Sequence, residues 1–248
     1  MVLKLKYSVY SNYMFFRLIF LYLSFLPFAV NAQNRTQKKY VFFLHNKFLE
    51  GHSLNASHPK YGPAAYTAIL EKLQSTNFVI LSEKREVDTD PKMYAKKVIL
   101  KIDSLHNHGV SYDQISIVGT SQGGYIAQYI SYYAKNPDLK FVFIGSSFKN
   151  DSMNEDKKFR LYGKILSINE KTDVGAEPIS SQFRFKNSDL KSFKEITLNT
   201  GLEHGFLFKA LDDWIIPTKA WINSNNLEID MNEKSKVTII CQMVRPTI

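Results

Sequence analysis

The chain of 248 residues has one cysteine, Cys241, and so no thiol to pair with it. That excludes a disulfide framework and any Cys₄ or Cys₂His₂ zinc site. Glycine and proline are also few, 11 and 8, which excludes a collagen-like or low-complexity chain. Acidic residues are outnumbered, 23 against 32 Lys and Arg, for a net charge of +9. Yet the basic residues fall in scattered pairs such as Lys38-Lys39, Lys96-Lys97 and Lys157-Lys158. No run reaches the five or six like charges of a nucleic-acid-binding tail. What is abundant is apolar: 44% hydrophobic and 14% aromatic residues, too much for a disordered chain. The length suits one large domain or two small ones.

The N-terminus carries Lys4, Lys6 and Arg17 without an acid, then an apolar run from Leu18 to Val30, then Val30-Asn31-Ala32. A basic region, a short apolar region and an A-x-A-like site make an excised signal peptide over residues 1–32. The run is short for a membrane span, which needs about 20 apolar residues; an uncleaved membrane anchor is the alternative. Export to the periplasm or the medium is expected. Without the leader, residues 33–248 would carry +6, since three positive charges go with it.

Short apolar, β-prone runs recur at Tyr40–Leu44, Phe78–Leu81, Ile115–Val118, Phe141–Ile144, Ile165–Ile168 and Ile196–Leu198. Continuous apolar runs of this length read as strands covered on both faces of a parallel sheet. Helical spacing lies between them. Tyr66, Ile69, Leu70 and Leu73 form one stripe, Tyr94, Val98, Ile102 and Leu105 a second, and Ile126, Tyr129, Ile130 and Tyr133 a third. Pro63 and Pro91 are placed in first helical turns, and Gly109 is placed as a C-terminal cap. Strands alternating with helices predict an α/β domain with a mostly parallel central sheet flanked by helices. The domain is bounded at 33–224. Residues 225–248 form a tail with no assigned role, in which Val237–Val244 has the composition of one more strand.

Gly119-Thr120-Ser121-Gln122-Gly123 matches G-x-S-x-G between a strand and a helix. That context makes the pattern a nucleophile elbow, where small flanks let a strained serine project its hydroxyl above the sheet. A structural turn without chemistry is the alternative. The triad order for this architecture is Ser, acid, His. His204 is the only histidine after Ser121, and it follows a strand end, where catalytic groups of parallel sheets lie. The acid belongs in Asn169-Glu170-Lys171-Thr172-Asp173. Asp173 is preferred, having room to fold toward His204. Glu170 is the alternative, and whichever is not used is expected to be a solvated charge. For the oxyanion hole, the residue after the nucleophile donates one amide and the loop after the first strand the other. These are Gln122 and Lys47, with Phe48 as the fallback to Lys47. His45 is expected to shape that loop by hydrogen bonding. His45, Phe48, Glu83 and Arg85 are candidates for lining the site; for Glu83 and Arg85, a buried ion pair holding loops is the alternative.

Together these residues resemble the α/β-hydrolase superfamily, and within it small bacterial serine hydrolases. The resemblance is carried by His45–Glu50, His58–Gly62, Ser82–Arg85, Gly119–Gly124 and Glu203–Phe206, and spans Tyr40 to Trp221. It implies a Ser121–Asp173–His204 triad and a carboxylester-type hydrolase acting through an acyl-enzyme. The chain departs from the common pattern at Asn46, where a His-Gly pair is usual. The expected partner is a small acyl substrate, with no cofactor, metal or nucleic acid, and no membrane insertion after leader removal. The segment from Ser146 to Gly163 is too short for a large lid, so little or no cap is expected. The rival reading is a non-catalytic binding protein on the same fold.

Overall fold

The computed structural model describes residues 37–149, 151–224 and the backbone of residues 238–240. The expected leader, Cys241 and most of the tail lie outside the described residues. Among the described residues, no helix is long and apolar enough to cross a membrane. The chain runs from β1 (Lys39–Leu44) through a hairpin of β2 (Ser57–His58) and β3 (Gly62–Pro63) to α1 (Tyr66–Leu73) and β4 (Phe78–Leu81). Next come α2 (Pro91–Asn107), β5 (Ile115–Thr120), α3 (Gln122–Ala134) and β6 (Lys140–Ile144). A single turn, α4 (Ser152–Glu155), precedes β7 (Tyr162–Glu170). Another, α5 (Phe183–Lys186), precedes β8 (Asp189–Leu198), and α6 (Asp212–Asn223) and β9 (Thr238–Ile240) follow.

The sheet has the order β4-β1-β5-β6-β7-β8-β9. Every pairing is parallel except β8 with β9. Successive strand residues point to opposite faces, so each apolar run feeds two cores. Phe43, Val118, Val142 and Leu166 meet α1 and α6 through Tyr66, Ile69, Trp214 and Ile215. Phe42, Ile117, Phe141 and Ile165 meet α2 and α3 through Val98, Ile102, Ile126 and Ile130. This two-sided burial is why the strands read as unbroken apolar runs rather than alternating ones.

Two sequence expectations shift. β8 is ten residues long because its first half alternates exposed and half-buried positions, a pattern that a search for continuous apolar runs passes over. Pro63 is not in a helix but in β3, beside Gly62 at φ +78°; that left-handed backbone makes a hairpin turn and postpones the helix to Tyr66. Pro91, in contrast, does open α2 behind the Asp90 cap, whose carboxylate accepts from the Met93 amide at 2.7 Å. Two positive charges serve the fold. Lys39 and the buried Lys140 both donate to the Ile222 carbonyl, at 3.0 and 2.9 Å, capping the last turn of α6, where a cation complements the helix dipole.

Candidate active site

β5 ends at Thr120, and the chain reverses into α3 through Ser121, at φ +50° and ψ −117°. This left-handed backbone is costly for a residue with a Cβ. Close packing around it enforces the turn. A Cβ on Gly123 would lie 1.9 Å from the Leu44 carbonyl oxygen, and one on Gly119 would lie 2.4 Å from Gly123 backbone atoms. The glycines therefore do more than clear space around the serine. They let the first turn of α3 press on the end of β1, bringing the 45–48 loop beside the elbow. Gly123→Ala is expected to destabilise the protein severely, because both clashing partners are backbone. Loss of soluble protein, or a thermal midpoint lowered by more than about 10 °C, would show it; a wild-type melt would refute the packing account.

His204 sits on the 3₁₀ segment Glu203–Phe208 beyond β8. Its Nε2 is 2.9 Å from Ser121 Oγ, and its Nδ1 is 2.5 Å from Asp173 Oδ2. A carboxylate can only accept, so Nδ1 carries the proton and Nε2 is left to accept from the serine hydroxyl. Asp173 is largely buried, and its other oxygen accepts from the Gly175 amide at 3.3 Å. The structure thus brings Ser121, His204 and Asp173 into one chain of hydrogen bonds. Glu170 stands apart from it. Contrary to the expectation of a solvated charge, Glu170 is buried and bonded to Thr172 and Thr200. Its burial disfavours the charged form, but those hydrogen bonds outweigh it and hold the carboxyl below its ordinary range.

Gln122 is the first residue of α3, where an amide has no intrahelical acceptor and faces outward with the positive end of the helix dipole. Lys47 caps the 3₁₀ turn Phe48–Glu50, which puts the Lys47 and Phe48 amides in the loop that the Gly123 contact brings close. Asn46, where the resemblance expects glycine, is buried and accepts from the Leu49 amide at 3.3 Å. It steadies that turn.

His45 is 1% exposed. Its Nε2 accepts from the Arg85 amide at 2.9 Å, so Nδ1 is the donor to the Asn46 carbonyl at 2.7 Å. Burial and then the Arg85 charge push its pKa down from 6.5 to about 4. The unfolded imidazole binds a proton between these two values and the folded one does not. Its contribution to stability is therefore whole above pH 6.5 and is lost as pH falls toward 4. His45→Gln should flatten that slope, read as urea midpoints at about pH 7 and about pH 4.5; an unchanged slope would refute it.

Neither Glu83 nor Arg85 has a described contact with Ser121 or His204, and they do not pair with each other. Arg85 is buried and pairs with Glu50 at 2.9 Å, with a further bond to the His45 carbonyl at 2.5 Å. Glu83 turns outward to Lys97 and Lys101 of α2, at 2.8 and 2.9 Å, and these bonds draw its pKa down to about 2. The ion pair that holds the loops thus exists with a different partner, one 35 residues from Arg85 along the chain, which local sequence does not indicate.

Phe48 is half-buried, 5.5 Å from the Phe208 ring and 5.2 Å from His58. His58 stacks on Tyr61 at 4.6 Å, and Tyr61 in turn lies 6.5 Å from the His204 ring. Phe148 approaches His204 at 6.3 Å. Sequence reasoning missed Tyr61 and Phe148 as walls. Gly205 was a usable signal, since a Cβ there would stand 2.7 Å from Tyr61 Cδ1. The 146–163 segment places Met153, Phe159 and Leu161 in the α2–α3 core, and Ser121 keeps partial exposure. A cleft of about 500 Å³ opens elsewhere, between α2 and the ends of β1 and β4, and Ser121 and His204 do not line it. Among the described residues, no cluster of three His, Cys, Asp or Glu side chains can hold a metal ion.

No protein-family model and no curated protein matches the sequence. Solved structures similar to the chain include SOBER1 of Arabidopsis thaliana, at 15% identity over 75% of this chain and 97% of that one, with a TM-score of 0.44. An arylesterase matches at 14% identity over 76% of each chain, with a TM-score of 0.49. RedJ matches at 12% identity over 74% of this chain and 89% of that one, with a TM-score of 0.48. The chain's own strand order, with a strained Ser121 turn between a central parallel strand and its helix, is the α/β-hydrolase fold.

Proposed function

We propose that the protein is a serine hydrolase cleaving a carboxylic ester or related acyl bond through an acyl-enzyme. One observation carries this reading: His204 reaches Ser121 Oγ with one ring nitrogen, at 2.9 Å, and Asp173 with the other. Ser121 attacks the substrate carbonyl while His204 takes its proton at Nε2. Asp173 holds the tautomer and stabilises the imidazolium that forms. The amides of Gln122 and Lys47 receive the developing oxyanion. His204 then returns the proton to the leaving alkoxide and afterwards activates water to release the acid and restore Ser121. The aromatic walls at Tyr61, Phe148 and Phe48 suit an acyl or alcohol group with an apolar face.

The test is reaction of the full chain with a fluorophosphonate probe and with p-nitrophenyl esters of graded acyl length. Stoichiometric labelling at Ser121 with ester turnover is the expected result. A chain that neither labels nor turns over any ester would instead be a non-catalytic binding protein on this fold.

A further inference from the structure

We infer that Glu170 is a positioning residue that joins the loop carrying Asp173 to the loop carrying His204 and sets the spacing between them. This rests on the reading of Ser121, His204 and Asp173 given above. Glu170 is the last residue of β7, and it points to the neighbouring strand's loop rather than to the imidazole. Its Oε1 accepts from the Thr172 amide at 3.2 Å and the Thr172 hydroxyl at 3.0 Å. Its Oε2 accepts from the Thr200 amide at 3.0 Å and the Thr200 hydroxyl at 2.8 Å. One carboxylate is thus shared evenly between two loops that start on adjacent parallel strands.

The two threonines pass the constraint on. Each hydroxyl gives its proton to Glu170 and keeps a lone pair free to accept. Thr172 Oγ1 accepts from the Glu203 amide at 3.0 Å, and Thr200 Oγ1 accepts from the Leu202 amide at 3.3 Å. Thr172 directly precedes Asp173, and Glu203 directly precedes His204. The bond between them therefore ties the acid and the base together one residue upstream of each. Glu203 is held at φ +51°, a left-handed backbone that a residue with a Cβ keeps only when its surroundings impose it. The Thr172 bond is one such restraint, and the bond from the Gly205 amide to the Leu202 carbonyl across Glu203, at 3.0 Å, is another. A carboxylate is the right group for this junction because all four of its partners are donors. A carboxamide presents two donors of its own on one side and would repel either the Thr172 pair or the Thr200 pair.

The test compares the full chain with Glu170→Gln, Thr172→Val and the double variant. Fluorophosphonate labelling rates are measured across pH, and thermal melts check folding. Proton NMR of the His204 Nδ1–H provides a readout that needs no substrate. Displacing a reacting group by a fraction of an ångström to one ångström slows reactions up to about 100-fold, so each single variant is expected to label roughly 10- to 100-fold more slowly. The pH profile of labelling should change, because Asp173 no longer meets the imidazole squarely. The Nδ1–H resonance should move upfield. The double variant should be little worse than the poorer single, as expected for two parts of one junction. If Glu170→Gln does not fold, Thr172→Val alone carries the test. Folded variants that label at the wild-type rate would overturn the inference. So would slower labelling with an unchanged pH profile and resonance, since that marks a purely structural role. Failure of the wild type to label would refute the reading of Ser121 itself.

Discussion

Ser121→Ala should lower kcat for ester hydrolysis by roughly 10⁴- to 10⁶-fold, the range set by removing a nucleophile and leaving the rest of the site in place. The residue is held at φ +50°, and alanine bears that backbone as well or as badly as serine because both have a Cβ. The hydroxyl's described partner is His204 Nε2 at 2.9 Å, so its loss unpairs one partly exposed ring nitrogen and leaves no buried group stranded. The melt should therefore stay within a few degrees of the wild type while fluorophosphonate labelling disappears. The residual rate is informative in itself. On the proposed reading it reports what the Gln122 and Lys47 amides would achieve without a covalent step, through electrostatic stabilisation of the oxyanion. Wild-type turnover by this variant would end the proposal.

Asp173→Asn is expected to cost about 10⁴-fold in kcat with KM little changed, through the tautomer rather than through packing. The 2.5 Å contact from Asp173 Oδ2 to His204 Nδ1 exists because the carboxylate accepts what Nδ1 donates. Asparagine can turn its NH₂ toward Nδ1, which then becomes the acceptor and sends the ring proton to Nε2. In that state His204 cannot take the proton of Ser121. The size of the substituted atom barely changes, and the fold should survive, which a near-native melt would check. The comparison with Glu170→Gln separates the two carboxylates: loss of orientation costs up to about 100-fold, loss of the acceptor far more. A larger loss from Glu170→Gln than from Asp173→Asn would exchange their roles.

The choice between those carboxylates shows where reading the sequence runs out. Both follow the same apolar run, Ile165–Ile168, three residues apart, with similar chemistry and no local cue to direction. β7 continues through Glu170, and side chains alternate along a strand. Glu170 therefore shares its side with Ile168 and is turned toward Thr200 on the next loop. Asp173 lies past the strand end, where a tight turn back to the Glu170 carbonyl aims it at His204. The same limit applies to Arg85. Its charge was legible, but its partner Glu50 lies in another loop, and only burial of both decides that they meet.

Local physics was decisive wherever neighbours in sequence are neighbours in space. Continuous apolar runs mark strands covered on two faces, helical stripes mark their connections, and a serine between glycines at a strand-to-helix junction marks the elbow. Those features follow from the chain's own periodicity and from the sterics of Gly119 and Gly123, and they single out Ser121 as a candidate; chain order and the end of a strand single out His204. The tertiary structure decided everything that depends on the pairing of distant loops. It set which acid faces the imidazole, which acid braces it through Thr172 and Thr200, and which aromatic rings flank His204. It also showed that Gly123 packs directly on the end of β1, beside the elbow. Hydrogen bonds and close contacts act over about 3 Å, while the residues that share them here are 30 or more apart in sequence, as with Glu170 and Thr200.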